Sequence, residues 1–131
     1  MENRYLYRAK RIDNDEWVEG YLSYPFCTKK GNESYYFYAK DSLGFFCRCV
    51  VDASTICQCT GLKDKNGKLV FEHDIVWDSD ERAFYEIIWN QEDMCWNVED
   101  ADGHKSEFEE CYGSTIEVNG NIFDNPELLE V

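Results

Sequence analysis

Proline is scarce in this chain, with two in 131 residues, and no Ser/Gly/Pro stretch is long enough to serve as a linker. No apolar run approaches the roughly 18 residues that a membrane-spanning helix requires, so membrane association through a helix is not expected. Met1 to Lys10 is charged and aromatic, which is not the pattern of a secretory signal. Basic residues are also few: 13 Lys and Arg stand against 27 Asp and Glu, a formal charge of −14. Phosphates are repelled by such a balance, which disfavours broad nucleic-acid binding. A phosphate-cradling glycine loop, a Ser/His/Asp arrangement and a paired-carboxylate motif are all lacking, so the expectation is a non-enzyme without a cofactor.

The length suits one domain, or two very small ones, with a core that needs neither disulfide nor metal. Aromatics make up 16% of the residues, and Val, Ile, Tyr, Phe and Trp recur throughout, a composition that favours strands. Seven cysteines are an odd number. Without a secretory signal they read as reduced thiols, several of them buried, in a cytoplasmic protein.

Charge is divided unevenly. Residues 1–60 hold eight Lys/Arg and eight Asp/Glu, whereas residues 61–131 hold five and nineteen, so all the excess acidity lies in the second half. Two modules or one acidic face would both produce this asymmetry.

Period-2 alternation over Arg4–Arg11 puts Tyr5, Tyr7 and Ala9 on one face and Arg4, Arg8 and Lys10 on the other. Asp13–Glu16 turns the chain into a returning strand, Trp17–Phe26, with a bulge at Gly20. Turns at Thr28–Glu33 and Ser42–Gly44 flank an aromatic strand, Ser34–Ala39, and Phe45–Val51 returns. The first half is thus a meander of about four strands. Asn66-Gly67 signals a type I′ hairpin, whose two central residues both need positive φ. Short strands follow at Leu69–Phe71, Asp74–Trp77, Ala83–Trp89 and Cys95–Glu99, then at 116–118 and 121–123, with one helical turn or an irregular segment at 107–112. Asn125 and Pro126 form a helix-start signature, with Asn as N-cap and Pro in the first turn. The expected fold is mostly β with very little helix. A charge-neutral N-terminal meander or small barrel, residues 1–59, is followed by an acidic SH3-like β-barrel, residues 60–131.

Three stretches resemble the YopX family of phage-associated proteins: Tyr7–Arg11 with Glu16–Tyr21; Thr55–Gly67 with Glu72–Val76; and Gly120–Leu129. Their order and spacing run from one end of the chain to the other. Within them, Thr60, Gly61, Leu62, Asp64, Asn66 and Gly67 read as turn chemistry, and Glu72 and Asp74 as a strand entry. Gly120, Asn121, Asn125 and Pro126 read as a turn and cap. His73 stands where the family usually has glycine, which implies a bulge or positive φ. Cys57 and Cys59 replace a glycine and an aromatic. The family carries no established biochemical activity. The resemblance implies a phage or prophage setting in a bacterial host and no reaction.

Candidate chemistry is sparse. Cys47 and Cys49, with Cys57 and Cys59, form two Cys-x-Cys pairs that could converge on zinc if their strands were adjacent; as small core residues they fit the same pattern. A cysteine nucleophile would need His73 or His104 beside it. Acidic clusters at Asp78, Asp80 and Glu81 and at Glu99, Asp100 and Asp102 do not match an EF-hand loop. The basic face of Arg4, Arg8 and Lys10, near Tyr35, Tyr36, Phe37 and Tyr38, could bind single-stranded nucleic acid by stacking and charge. The leading expectation is a binding or regulatory module acting through protein contacts, with a basic protein partner met by the acidic half in the manner of a nucleic-acid mimic. Self-association is compatible with the sequence.

Overall fold

Half-buried β-branched and aromatic residues in runs of three to nine are what a pleated sheet accommodates. The computed structural model describes residues 5–23, 26–29, 32–40 and 43–130. Among them twelve strands and three short 3₁₀ segments are found. Arg4, and Lys30, Gly31 and Ser42 of two expected turns, lie outside the described residues. The chain divides into two compact units, Met1–Cys59 and Thr60–Val131.

The first unit contains β1 (Tyr7–Lys10), β2 (Trp17–Leu22), β3 (Phe26–Lys29), β4 (Asn32–Lys40), β5 (Phe46–Val51) and the start of β6 (Cys57–Lys63). β1 lies between β2 and β6, and β4 holds β2, β3 and β5, all antiparallel. The single strand expected over Trp17–Phe26 is therefore two pieces, β2 and β3. One bridge, Arg11 to Val51, ties the end of β1 to the end of β5. Beside it, Asp52 N donates to Lys10 O at 2.8 Å. The buried Thr55 hydroxyl accepts from Lys10 N at 2.9 Å and donates to Asp52 O at 2.7 Å. The core consists of Ala9, Phe37, Ala39, Cys49 and Val51, flanked by Tyr7, Val18, Tyr35 and Ile56.

Gly20 keeps regular register opposite Tyr7 and is not a bulge. Its role is close approach, since a Cβ there would run into the Tyr38 carbonyl oxygen.

In the second unit the end of β6 meets β7 (Leu69–Phe71). The loop between them is not a type I′ turn, because Gly67 has φ +80° while Asn66 is not among the residues of positive φ. Gly67 N donates to Asp64 O at 3.0 Å and Asp64 N to Lys68 O at 2.8 Å. This is the longer hairpin loop in which a turn is followed by one left-handed glycine. Asp64, almost wholly buried, overrides the shorter turn. Its carboxylate accepts from Asn66 N and Lys68 N at 2.9 Å each, and from Val118 N at 3.0 Å.

A sheet in the order β11 (Lys105–Glu107), β10 (Cys95–Glu99), β9 (Ala83–Asn90), β8 (Asp74–Asp78), β12 (Ile116–Asn121) completes this unit. Val70, Val76, Ile87, Val98, Phe108 and Ile116 form its core. The two pieces expected at 116–123 are one strand, bulged between Val118 and Gly120. The segment at 107–112 divides between β11 and a 3₁₀ turn, Glu110–Ser114. The mostly-β expectation holds. The SH3-like barrel does not: β11 and β12 are edges that do not pair with each other, and no sheet among the described residues closes into a barrel.

Candidate functional site

Strand alternation gives the first unit's sheet two faces with different chemistry. Tyr7, Ala9, Phe37, Ala39, Cys49 and Val51 point to the core. The pairs Arg8–Glu19, Lys10–Trp17, Tyr21–Tyr38 and Tyr38–Arg48 place the alternate residues on the opposite face. Among the described residues, that face carries five rings, Trp17, Tyr21, Tyr36, Tyr38 and Phe46, with three cations, Arg8, Lys10 and Arg48, against one carboxylate, Glu19.

The cations lie over the rings. The Arg8 guanidinium sits 4.7 Å from the centre of the Trp17 ring, the Lys10 ammonium 5.4 Å from the same ring, and the Arg48 guanidinium 4.8 Å from Tyr36. Each pair is attracted through the ring quadrupole and also holds the ring in place. A groove of about 690 Å³ opens along this face, lined by Leu6, Arg8, Trp17, Tyr21, Tyr38 and Phe46 among others. Gly20 lets the Tyr38 backbone come close to β2 at the groove wall. Tyr38 is 45% and Phe46 61% exposed.

The expected group of Arg4, Arg8 and Lys10 beside Tyr35–Tyr38 is met only in part. Tyr35 and Phe37 belong to the core, β2 lies between β1 and β4, and Arg4 is outside the described residues. Sequence reasoning missed Trp17, Tyr21, Phe46 and Arg48, although their spacing of two within each strand was the available signal.

The cysteine pairs occupy β5 (Cys47, Cys49) and β6 (Cys57, Cys59). β5 pairs with β4 and β6 with β1, so the adjacency that a shared zinc would need is not present. Cys49, Cys57 and Cys59 are buried. Burial pushes the Cys49 thiol above its ordinary value, with the nearby Arg11 charge acting the other way.

In the second unit, one trio of potential metal ligands is found among the described residues: Asp100, Asp102 and His104. Asp100 Oδ1 accepts from Asp102 N at 3.0 Å and His104 N at 2.9 Å, and the backbone donor of His104 holds its carboxyl below the usual range. The cluster thus completes its own turn, with Gly103 at φ +85°. Asp78 is buried and accepts from Asp80 N at 3.0 Å, apart from the exposed Asp80 and Glu81.

The remaining signature residues lie in turns and at strand ends. Thr60 Oγ1 donates to Val70 O at 2.7 Å and accepts from Leu62 N at 3.1 Å, around a left-handed Gly61. Asp74 accepts from Phe71 N at 2.8 Å, beside Glu72. His73 has φ +68°, as the family's glycine implies, and its Nδ1 lies 2.7 Å from Glu86 Oε2. Asn121 Oδ1 accepts from Phe123 N and Asp124 N at 3.0 and 2.9 Å. Asn125 occupies the N-cap position of the 3₁₀ turn Pro126–Leu129 without a side-chain cap bond. Its Oδ1 accepts instead from Asn121 N at 3.3 Å, and a Cβ on Gly120 would meet it. A buried Asp64 burdened by desolvation is outweighed by its three backbone donors, so its carboxyl lies below the ordinary value.

A sequence model of the YopX protein family matches residues 6–130. The crystal structure of protein EF1440 from Enterococcus faecalis is similar, at 27% identity and a TM-score of 0.56, over 95% of this chain and 96% of that one. No curated protein matches.

Proposed function

We propose, for a chain that belongs to the YopX protein family, a non-enzymatic binding and regulatory module of phage type that meets its partner through the outer face of the first unit's sheet. The observation that carries this reading is where exposed apolar surface concentrates. Of the nine large hydrophobic residues exposed among the described residues, seven belong to the first unit, and two of these, Tyr38 and Phe46, lie on this face beside the groove. Exposed rings rimmed by charge at a groove mark an interaction site.

The test compares wild-type protein with Tyr38→Ser/Phe46→Ser in affinity purification from host lysate, with Trp89→Ala as a control on the second unit. Partners lost from the double variant and kept by the control support the reading. An identical set of partners on all three overturns it.

A second reading keeps the acidic half as the contact. Nineteen carboxylates stand there against five cations, and three of them, Asp64, Asp74 and Asp78, are buried. Such a surface can occupy a basic groove meant for nucleic acid. Basic partners held at about 0.1 M salt and released at about 1 M would support it; partners retained at high salt would refute it.

A further inference from the structure

We infer that the outer face of the first unit is a binding platform for single-stranded nucleic acid, with bases stacked on Tyr38 and Phe46 and the phosphate backbone held by Lys10 and Arg48. The inference rests on the proposed function and names its ligand.

Three features of the face point to this class. The first is the sign of its charge. In a protein of net −14, this one face presents Lys10 and Arg48 against a single carboxylate, with the Arg8 guanidinium buried beside Trp17 beneath them, so its complement is an anion. The second is the kind of apolar surface. It is made of ring faces spread over β2, β4 and β5, and unpaired bases offer flat faces that stack on such rings. Bases locked inside a duplex do not. The third is the interleaving of cation and ring. Arg48, which lies over Tyr36, is the cross-strand partner of the exposed Tyr38, and Lys10 lies over Trp17 on the same face. A base on Tyr38 then has a guanidinium within reach of its own phosphate. A purely apolar peptide would have no use for the cations.

Sequence readout is not expected from such a platform, because stacking is tolerant of base identity. Neutralising about two phosphates gives a logarithmic salt slope of about −1.4, at roughly 0.7 per contact for single strands.

The experiment is fluorescence anisotropy of the full chain with a labelled oligothymidylate, against the same length of duplex DNA and an acidic peptide of matched charge, across a salt series. Saturable binding of the single strand, weaker binding of the duplex and a slope of about −1.4 are expected. Tyr38→Ala and Phe46→Ala should each weaken binding roughly 5- to 150-fold. Arg48→Ala should lower the slope by about 0.7, and Trp89→Ala should leave both unchanged. Circular dichroism confirms that each variant is folded; should Tyr38→Ala not fold, Tyr38→Leu removes the π-face while keeping the bulk. Binding of the acidic peptide and not the oligonucleotide, with the same loss on Tyr38→Ala, overturns the nucleic-acid assignment and leaves the face as the contact surface. Oligonucleotide binding that none of the face variants alters overturns the platform itself. No binding of either probe at low salt overturns the inference.

Discussion

Replacing Asp64 by alanine removes one carboxylate and strands three backbone donors, the N–H groups of Asn66, Lys68 and Val118. A hydrogen bond to a charged acceptor contributes about 1.5–3 kcal/mol net. Asn66 and Lys68 are exposed, and water replaces much of what they lose, which reduces their share to about 0.5–1 kcal/mol each. Val118 is half-buried and its donor is harder to rehydrate, so the full range applies there. The sum is a loss of about 2.5–5 kcal/mol. Urea unfolding in a Trp17→Phe background measures it, because Trp77, Trp89 and Trp96 then report the second unit alone. The sign with pH follows from the depressed carboxyl of Asp64. Its contribution is whole above the unfolded-chain value of about 3.9 and is lost as pH falls through the lower folded value. The gap between wild type and Asp64→Ala is therefore full at neutral pH and closes on acidification below that point. A variant within about 0.5 kcal/mol of wild type at neutral pH would refute the reasoning, since surface substitutions without structural consequence fall in that range.

Two further outcomes test the backbone arguments. Gly20→Ala forces a methyl group against the Tyr38 carbonyl and should cost about 1–3 kcal/mol by urea titration, with Tyr38 displaced from the groove wall. At position 73, where φ is +68°, His73→Gly should stay within about 1 kcal/mol of wild type, because relief of the backbone offsets the lost contact with Glu86. His73→Val should cost more than His73→Gly, since a β-branched residue tolerates that conformation poorly; the reverse order in urea midpoint would contradict this.

How far the sequence was readable differs from strand to strand. Tyr7 and Ala9 against Arg8 and Lys10 were separable by alternation alone, because polar and apolar residues take turns there. Tyr35 to Tyr38 were not, because four consecutive aromatics carry no alternation. Only the pairing of Phe37 with Leu22 and of Tyr38 with Tyr21 decides which rings are buried. Trp17 beneath Arg8 and Lys10 follows from the β1–β2 hairpin, whose turn at Asp13–Glu16 was legible. The hairpin at Asn66-Gly67 was legible as a turn. Its type was not, because the competing acceptor is the Asp64 side chain and its third donor lies 54 residues away. The glycine that the family resemblance puts at position 73 implied a bulge or a positive φ, and the second is found. Counting strands could not distinguish an open sheet from a barrel, since closure depends on whether the first and last edges meet.

An open sheet leaves two edges, and how this one is finished bears on behaviour at high concentration. β11 is three residues long, exposed throughout, and two of the three, Lys105 and Glu107, are charged. β12 is bulged, and Asp64 takes the Val118 donor while Asn125 takes that of Asn121. A short charged edge and a bulged edge whose donors are already occupied give an incoming strand little to template on. The second unit can thus accumulate in a crowded cell without growing fibres edge to edge, and its surface acidity adds mutual repulsion between copies.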